Sequence, residues 1–435
     1  MFNIIQTAIF ITLLLSLLTI SLAKFEKSII YYIIFCLISP NLILGDTTIT
    51  FEIVAFLFYI PIVIVKRREI FVLKKVFLFR QLFLLIPLIA FISSLIAEMK
   101  YGSNLNVIAL FGYLRIIILI WVLQYCNEKL GKDYVLDKIL SLVILINIIV
   151  SLIQLLNPSS VDLFYNFYFR PSLTPLEEVM YLGYFNRAYG TFGSPVLLGV
   201  FSVFAFSFYL VQIAGKKQQK FLISKLLGST ILGLMALSKS AILGIPLLLL
   251  LAYGLMLIGF IKLNNSKFLI LPLVSLPTVL IIIYVLKQMN TSILWYTNYL
   301  TNPLAAFDTR YSLDSGILIS TYSTIKENLV FGVGLTVLNG DFLGDSMYTT
   351  ILYTIGLVGS MIYVIFFTLS FVISIYNKKI ASIIMLVSIL LMGFSLPVHL
   401  ELMTVPFFAY IFSELEDRER KMTYDILLVR KKGLN

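Results

Sequence analysis

The residues best equipped for chemistry in this sequence are two arginines and an aspartate. Arg187 opens the stretch Arg187-Ala188-Tyr189-Gly190, and Arg310 closes Asp308-Thr309-Arg310. A guanidinium presents a planar fork of donors that matches phosphate oxygens two at a time. Either arginine therefore suits an anionic substrate, and a solvated loop arginine is the plainer reading of each. Asp345 stands beside Ser346, directly ahead of an apolar run. It can take the proton of an attacking hydroxyl, or it can cap the helix that follows, where Asp and Ser are both favoured.

Five more polar groups belong with them as substrate-binding candidates. Arg115 lies inside an apolar run, between Leu114 and Ile116. Charge at membrane depth needs a partner or a wet cavity, so Arg115 either pairs with a carboxylate or carbonyls in the bundle or binds an anion. Lys239, in the tight turn Ser238-Lys239-Ser240, either meets a ligand or extends its stem towards water. Arg170 closes an aromatic band that begins near Val161. His399, the sole histidine, sits in Pro397-Val398-His399-Leu400-Glu401. One histidine without Cys or Asp at ligand spacing builds no metal site, so neither a metal nor a cofactor is expected. Structural use is the simpler reading of His399. His399 or Glu401 becomes an alternative base if the last hairpin folds over the preceding loop.

Membrane helices must position these groups. The chain is 60% hydrophobic and only 13% charged, against roughly 25% charged in soluble domains. Apolar runs fall at 3–23, 28–45, 48–65, 81–97, 104–125, 134–156, 191–213, 221–238, 241–261, 268–286, 346–375, 380–396 and 398–413. Most approach the ~20 residues of a spanning helix, which predicts an all-α polytopic membrane protein of about 12–13 spans. Met1 to Ala23 lacks a basic n-region and reads as a span rather than a cleavable signal. Cys36 and Cys126 lie in apolar runs and imply no disulfide framework.

Orientation follows from lysine and arginine. With the N-terminus outside, 25 of the 33 basic residues fall on cytoplasmic connections and a cytoplasmic tail, 414–435. That asymmetry accounts for the formal charge of +11 through contact with anionic headgroups, and it makes a nucleic-acid partner unnecessary. Two segments, 157–190 and 289–345, are then long extracytoplasmic loops of a single membrane domain. Within the second, apolar spacing over Ser312 to Val330 predicts a helix lying on the surface. Backbone in such a polar segment must lie outside the bilayer or line a wet cavity. No Walker phosphate loop, Asp-x-Asp signature or Gly-x-Ser-x-Gly elbow is present.

Four motifs in order resemble one family. Arg187-Ala-Tyr-Gly-Thr-Phe-Gly-Ser-Pro195 is similar to the Arg-x-x-Gly-Thr-Phe-x-x-Pro motif of bacterial O-antigen polymerases and ligases. Ser238-Lys239-Ser240 resembles that family's Ser-Arg-x turn, with lysine for arginine. Arg310, followed by Asn328-Leu-Val-Phe-Gly332-Val-Gly334, is similar to its Arg…Gly-x-Gly stretch. Asp345-Ser346, ahead of Gly356-Leu-Val-Gly359, stands where the ligases carry His-Asn, and this departure leans towards a repeat-unit polymerase. The resemblance covers about 185–375; the earlier spans match by hydropathy alone.

The resemblance implies a glycosyltransferase of the inner membrane whose donor and acceptor are polyprenyl-diphosphate-linked oligosaccharides. Its surroundings would be membrane lipids, and a chain-length regulator and a flippase would be its partner proteins. Arg187 and Arg310 would engage the pyrophosphate, Arg115 would match a membrane arginine of the family, and Asp345 would activate the acceptor hydroxyl. A ligase of the same fold differs only in the acceptor. A lipid-linked oligosaccharide flippase is the alternative from another class. It would show internal repeats and charges reachable from both faces, whereas here the polar mass lies on one face.

Overall fold

The computed structural model describes residues 2–44, 47–67, 70, 78–102, 106–157, 164, 167–168, 181–182, 185–215, 221–260, 312, 318–338, 341 and 346–416. The first half holds α1 (Phe2–Ala23), α2 (Phe25–Ile38), α3 (Phe51–Lys66), α4 (Leu78–Tyr101), α5 (Val107–Leu130) and α6 (Lys132–Leu156). The second holds α7 (Pro195–Ala214), α8 (Leu222–Met235), α9 (Lys239–Leu257), α10 (Ile319–Glu327), α11 (Met347–Tyr376) and α12 (Ile380–Met392). A last helix, α13, runs over 405–416. Two short antiparallel hairpins interrupt the helices, β1 (Leu42–Leu44) with β2 (Thr47–Ile49) and β3 (Tyr181–Leu182) with β4 (Phe185–Asn186).

Every apolar run carries a helix except 268–286, which lies outside the described residues. Seven described helices are long and apolar enough to cross a membrane, so the protein is an all-α, multi-pass membrane protein. Several runs are shorter as helices than hydropathy alone suggests, and two of them show why. In 28–45, α2 stops at Ile38 because Pro40 forces Ser39 into extended backbone (φ −74°, ψ 141°), and the chain turns into β1. In 398–413, two 3-10 turns, Val398–Leu400 and Leu402–Thr404, precede α13. His399 therefore lies in a turn, outside the spanning helices.

The helix ends sort into two groups. Ion pairs collect at one end: Arg67–Glu26 at 2.6 Å, Lys225–Asp137 at 2.7 Å, Arg80–Glu416 at 3.1 Å and Lys132–Glu414 at 3.4 Å. These residues sit where α3 and α13 finish and where α2, α4, α6 and α8 begin. We call this the basic end. The far end holds the hairpins, the segment 187–194 and the turns after α12.

At the centre stands α7, almost wholly buried against α8, α9 and α12. Pro195 suits its first turn, and Ser194 caps it by accepting from Val196 N at 3.3 Å. Small residues let its neighbours approach, as membrane helices require: a Cβ on Gly199 would run into Ser238, and one on Gly233 into Ser202. Ser202 and Ser207 donate to carbonyls of their own helix, Gly199 O at 2.6 Å and Phe204 O at 2.7 Å. Both serine protons are thereby satisfied within the helix. At the periphery, α1, α4 and α11 expose Ile4, Leu15, Leu88 and Val364, a surface that suits lipid.

Candidate functional site

Two irregular backbone segments meet the bundle at its far end. The first is Arg187 to Ser194, which precedes α7. Two amide side chains on one face of α6 hold it. Gln154 Oε1 accepts from Tyr189 N at 3.1 Å and Gly190 N at 3.0 Å, and Gln154 Nε2 donates to Gly190 O at 3.1 Å. Asn147 Oδ1 accepts from Thr191 N at 2.8 Å. Thr191 Oγ1 reaches across to Leu37 O at 2.7 Å, tying the segment to the end of α2. Gly190 has φ +59°, and a Cβ there would strike Asn147 Oδ1, so no other residue fits.

This anchoring fixes Arg187 beside the α8–α9 turn. Its Nε donates to Ala236 O at 3.2 Å, and Ala188 N donates to Met235 O at 2.9 Å. Three residues beyond Ala236 comes Lys239, the first residue of α9, after Ser238 has capped the helix by accepting from Ala241 N. Leu237 between them holds φ +43°, uncommon for a residue with a side chain. Arg187 and Lys239, both half-buried, thus share one corner of the far end.

The second segment is 329–334, which follows α10, a helix inside the stretch expected to form one. It docks on a break in α11. Gly356 takes φ 58° and ψ −161° in mid-helix, a region open to glycine alone. The break orphans peptide groups on both sides, and 329–334 closes them: Val333 N donates to Tyr353 O at 2.8 Å and Gly334 N to Thr354 O at 3.0 Å. In return Leu357 N donates to Leu329 O at 2.8 Å and Val358 N to Val330 O at 3.1 Å. Gly332 and Gly334 hold φ +71° and +72°, and a Cβ on either would overlap backbone. The Gly-x-Gly and Gly-x-x-Gly motifs therefore interlock.

A cavity of about 310 Å³ opens beside this joint. Gly112 and Tyr113 of α5 line one side, Thr350 and Thr354 of α11 another, and Leu335 and Pro397 close it. His399, buried behind, packs its ring against Tyr113 (6.2 Å) and edge-on to Tyr363 (5.5 Å). Neither imidazole nitrogen has a hydrogen-bond partner among the described residues. Burial pushes the His399 pKa down to about 3, so the ring is neutral around pH 7. Glu401, half-buried, lies two residues on, and its carbonyl accepts from Thr404 Oγ1 at 2.7 Å.

Arg115 belongs to neither segment. Its Nη2 pairs with Glu52 Oε1 at 3.0 Å, across from the first turn of α3, and both side chains are largely buried. This is the carboxylate-paired arrangement among the readings open to Arg115. Arg170, Arg310 and Asp345 lie outside the described residues. The cap of α11 is Ser346, whose Oγ accepts from Thr349 N; it is not Asp345. No group of three or more His, Cys, Asp or Glu could hold a metal among the described residues. Sequence reasoning passed over Asn147, Gln154, Glu52 and Tyr113. The first two had a signal: two amides seven residues apart inside one apolar run share a helical face.

The chain matches no protein-family model, no curated protein and no solved structure.

Proposed function

We propose that this protein is a glycosyltransferase of the cytoplasmic membrane. It would polymerise polyprenyl-diphosphate-linked oligosaccharide repeat units into a surface polysaccharide, O-antigen or capsule, at the outer face. The observation that carries this reading is Arg187, held beside the α8–α9 turn that precedes Lys239 by the segment that Asn147 and Gln154 anchor. Two cations on neighbouring segments at the end opposite the basic loops suit a diphosphate presented from the outer leaflet. By the positive-inside asymmetry that end is extracytoplasmic.

In the reaction, an acceptor hydroxyl oxygen bonds to the anomeric carbon of the donor as the bond from that carbon to the diphosphate oxygen breaks. The electron pair leaves with the polyprenyl diphosphate, and Arg187, Lys239 and Arg310 stabilise its growing charge. The hydroxyl proton goes to a carboxylate, for which Asp345 is the choice. His399 is the poorer choice, since both of its ring nitrogens are buried out of reach of an acceptor. The glycosyl–diphosphate bond supplies the energy.

The break in α11 favours a second reading, because broken helices build the central sites of many transporters. In transporters the broken ends face the ligand. Here four of the orphaned groups are taken up by 329–334, which suits a fixed scaffold better than a transport path.

The saccharide ladder of a deletion strain tests the proposal: polymer is lost while a single capped repeat remains. Loss of every capped form would point to a ligase, and loss of outer-face repeat units to a flippase. Arg187→Ala and Arg310→Ala each abolish or shorten the polymer at normal protein levels. Arg187→Lys also impairs it, since an ammonium cannot make the two-pronged contact. Wild-type chain length in Arg187→Lys would reduce that residue to a solvated charge.

A further inference from the structure

We infer that residues 329–331 do not lie in an aqueous loop but enter the outer half of the bilayer, where Leu329, Val330 and Phe331 contact the acyl chains of membrane phospholipid. The polar segment 289–345, which hydropathy places outside the membrane, dips into it at this point.

The exposed surface changes character at Asn328. On α10 the side chains facing outward are mainly polar, namely Ser320, Ser323, Lys326 and Glu327. Directly after it, Leu329, Val330 and Phe331 are 44%, 54% and 41% exposed. Three consecutive apolar side chains in that state suit lipid rather than water. Asn328 itself is held at the end of α4. Its Oδ1 accepts from Lys100 Nζ at 2.8 Å and from the Tyr101 hydroxyl at 2.9 Å. Lysine and tyrosine at the end of a spanning helix are anchors at headgroup level.

The same helix gives the depth. From Arg80 to Tyr101, α4 has 22 residues, about 33 Å at 1.5 Å per residue, enough to cross a ~30 Å core once. Beyond Asn328 the chain runs back along α4, and Leu335 N donates to Ser94 Oγ at 3.0 Å. Ser94 precedes Glu98 by four residues and Tyr101 by seven, which sets it roughly 6–10 Å further towards the basic end. On α11, the carbonyls of Leu329 and Val330 meet Leu357 and Val358, ten and eleven residues past the first, Met347. Both helices place 329–335 below headgroup level.

Irregular backbone at that depth is tolerated only where protein takes up its polar groups. The joint with the broken helix provides this. The carbonyls of Leu329 and Val330 and the amides of Val333 and Gly334 bond to α11, and Gly332 N donates to Asn328 O at 2.8 Å. The backbone is thereby engaged with protein while the three side chains turn outward. Leu95 and Ile96 of α4, and Leu357, Val358 and Met361 of α11, are exposed as well. The apolar surface at 329–331 is thus continuous with the outer faces of two spanning helices, and acyl chains are the occupant that fits all three.

The experiment uses the full chain in liposomes of phosphatidylcholine and phosphatidylglycerol, with a nitroxide attached to Val330→Cys and, separately, to Phe331→Cys. The native Cys36 and Cys126 are both buried, and the unsubstituted protein gives the labelling background. Val330 lends the joint only its carbonyl, so the label leaves that pairing in place, and an unchanged melting temperature checks it. Two positions are labelled so that loss of the fold in one leaves the other to decide. Collision with oxygen, which enters the acyl region, is compared with collision with a neutral nickel chelate, which stays in water. Lys326→Cys on α10 is the aqueous reference, and Val364→Cys, exposed on α11, is the lipid reference. The oxygen-to-nickel ratio at 330 and 331 is expected to match that at 364 and to exceed that at 326 several-fold. A ratio like that at 326 would return the segment to an aqueous loop and overturn the inference. Weak collision with both reagents would mean that a protein surface covers the patch, which would overturn it as well.

Discussion

Two irregular segments enter the far end of this bundle, and they are held by opposite means. Arg187 to Ser194 is held by side chains: Asn147 and Gln154 reach out of an unbroken α6 and take up its peptide groups. The segment 329–334 is held by main chain, and the helix it meets has to break to receive it. Both solve one problem, because peptide groups away from water must find partners. The side-chain solution leaves the helix regular and concentrates the contact in two amides. The main-chain solution is indifferent to most side chains and depends on glycines. One segment fixes a cationic corner, and the other shapes a neutral cavity.

The comparison is best broken at its glycines. Gly356→Ala places a Cβ at φ 58° against the Val330 carbonyl. The backbone conformation alone costs about 1–3 kcal/mol, and the overlap with main chain adds to it. Thermal unfolding in detergent should show a larger loss for this variant than for any change around Arg187. Val330→Thr, by contrast, should be silent, since only the carbonyl of that exposed residue is used. A stable Gly356→Ala protein would mean that the joint does not depend on the broken helix.

A smaller effect is expected at the amides. Asn147→Leu leaves Thr191 N unpaired, at about 1–3 kcal/mol for a buried donor. The readout that sharpens the comparison is function. Asn147→Leu should shorten the polymer more than its modest fall in melting temperature accounts for, because Arg187 loses its setting. Equal proportional losses in polymer and folded protein would make the anchor purely structural.

The least change in stability is expected for Asp345→Asn, within a few tenths of a kcal/mol, since Asn caps as well as Asp and Ser346 already holds that position. Polymer should nevertheless fall steeply, because general-base assistance is typically worth about 10²–10⁴-fold. Asp341→Asn serves as the tolerated control. Polymer retained in Asp345→Asn but lost in Glu401→Gln would move the base to the turn after α12.

Much of this molecule is determined by its sequence. Hydropathy located the helices, because a spanning segment has to be apolar over most of its length. The lysines and arginines of the loops marked the basic end, where Glu26, Asp137, Glu414 and Glu416 meet them. The glycines at 190, 332, 334 and 356 were conspicuous as residues. What they do was decided by tertiary structure. Hydropathy has no term for which two segments exchange peptide hydrogen bonds, so nothing local shows that 329–334 closes a gap in α11. Likewise Arg115 was legible as a buried charge, but its partner Glu52 lies across a helix packing that only the folded bundle fixes. The cavity at Tyr113 follows the same logic: α5, α11 and the Pro397 turn each read as ordinary apolar chain, and the space between them exists only where they meet.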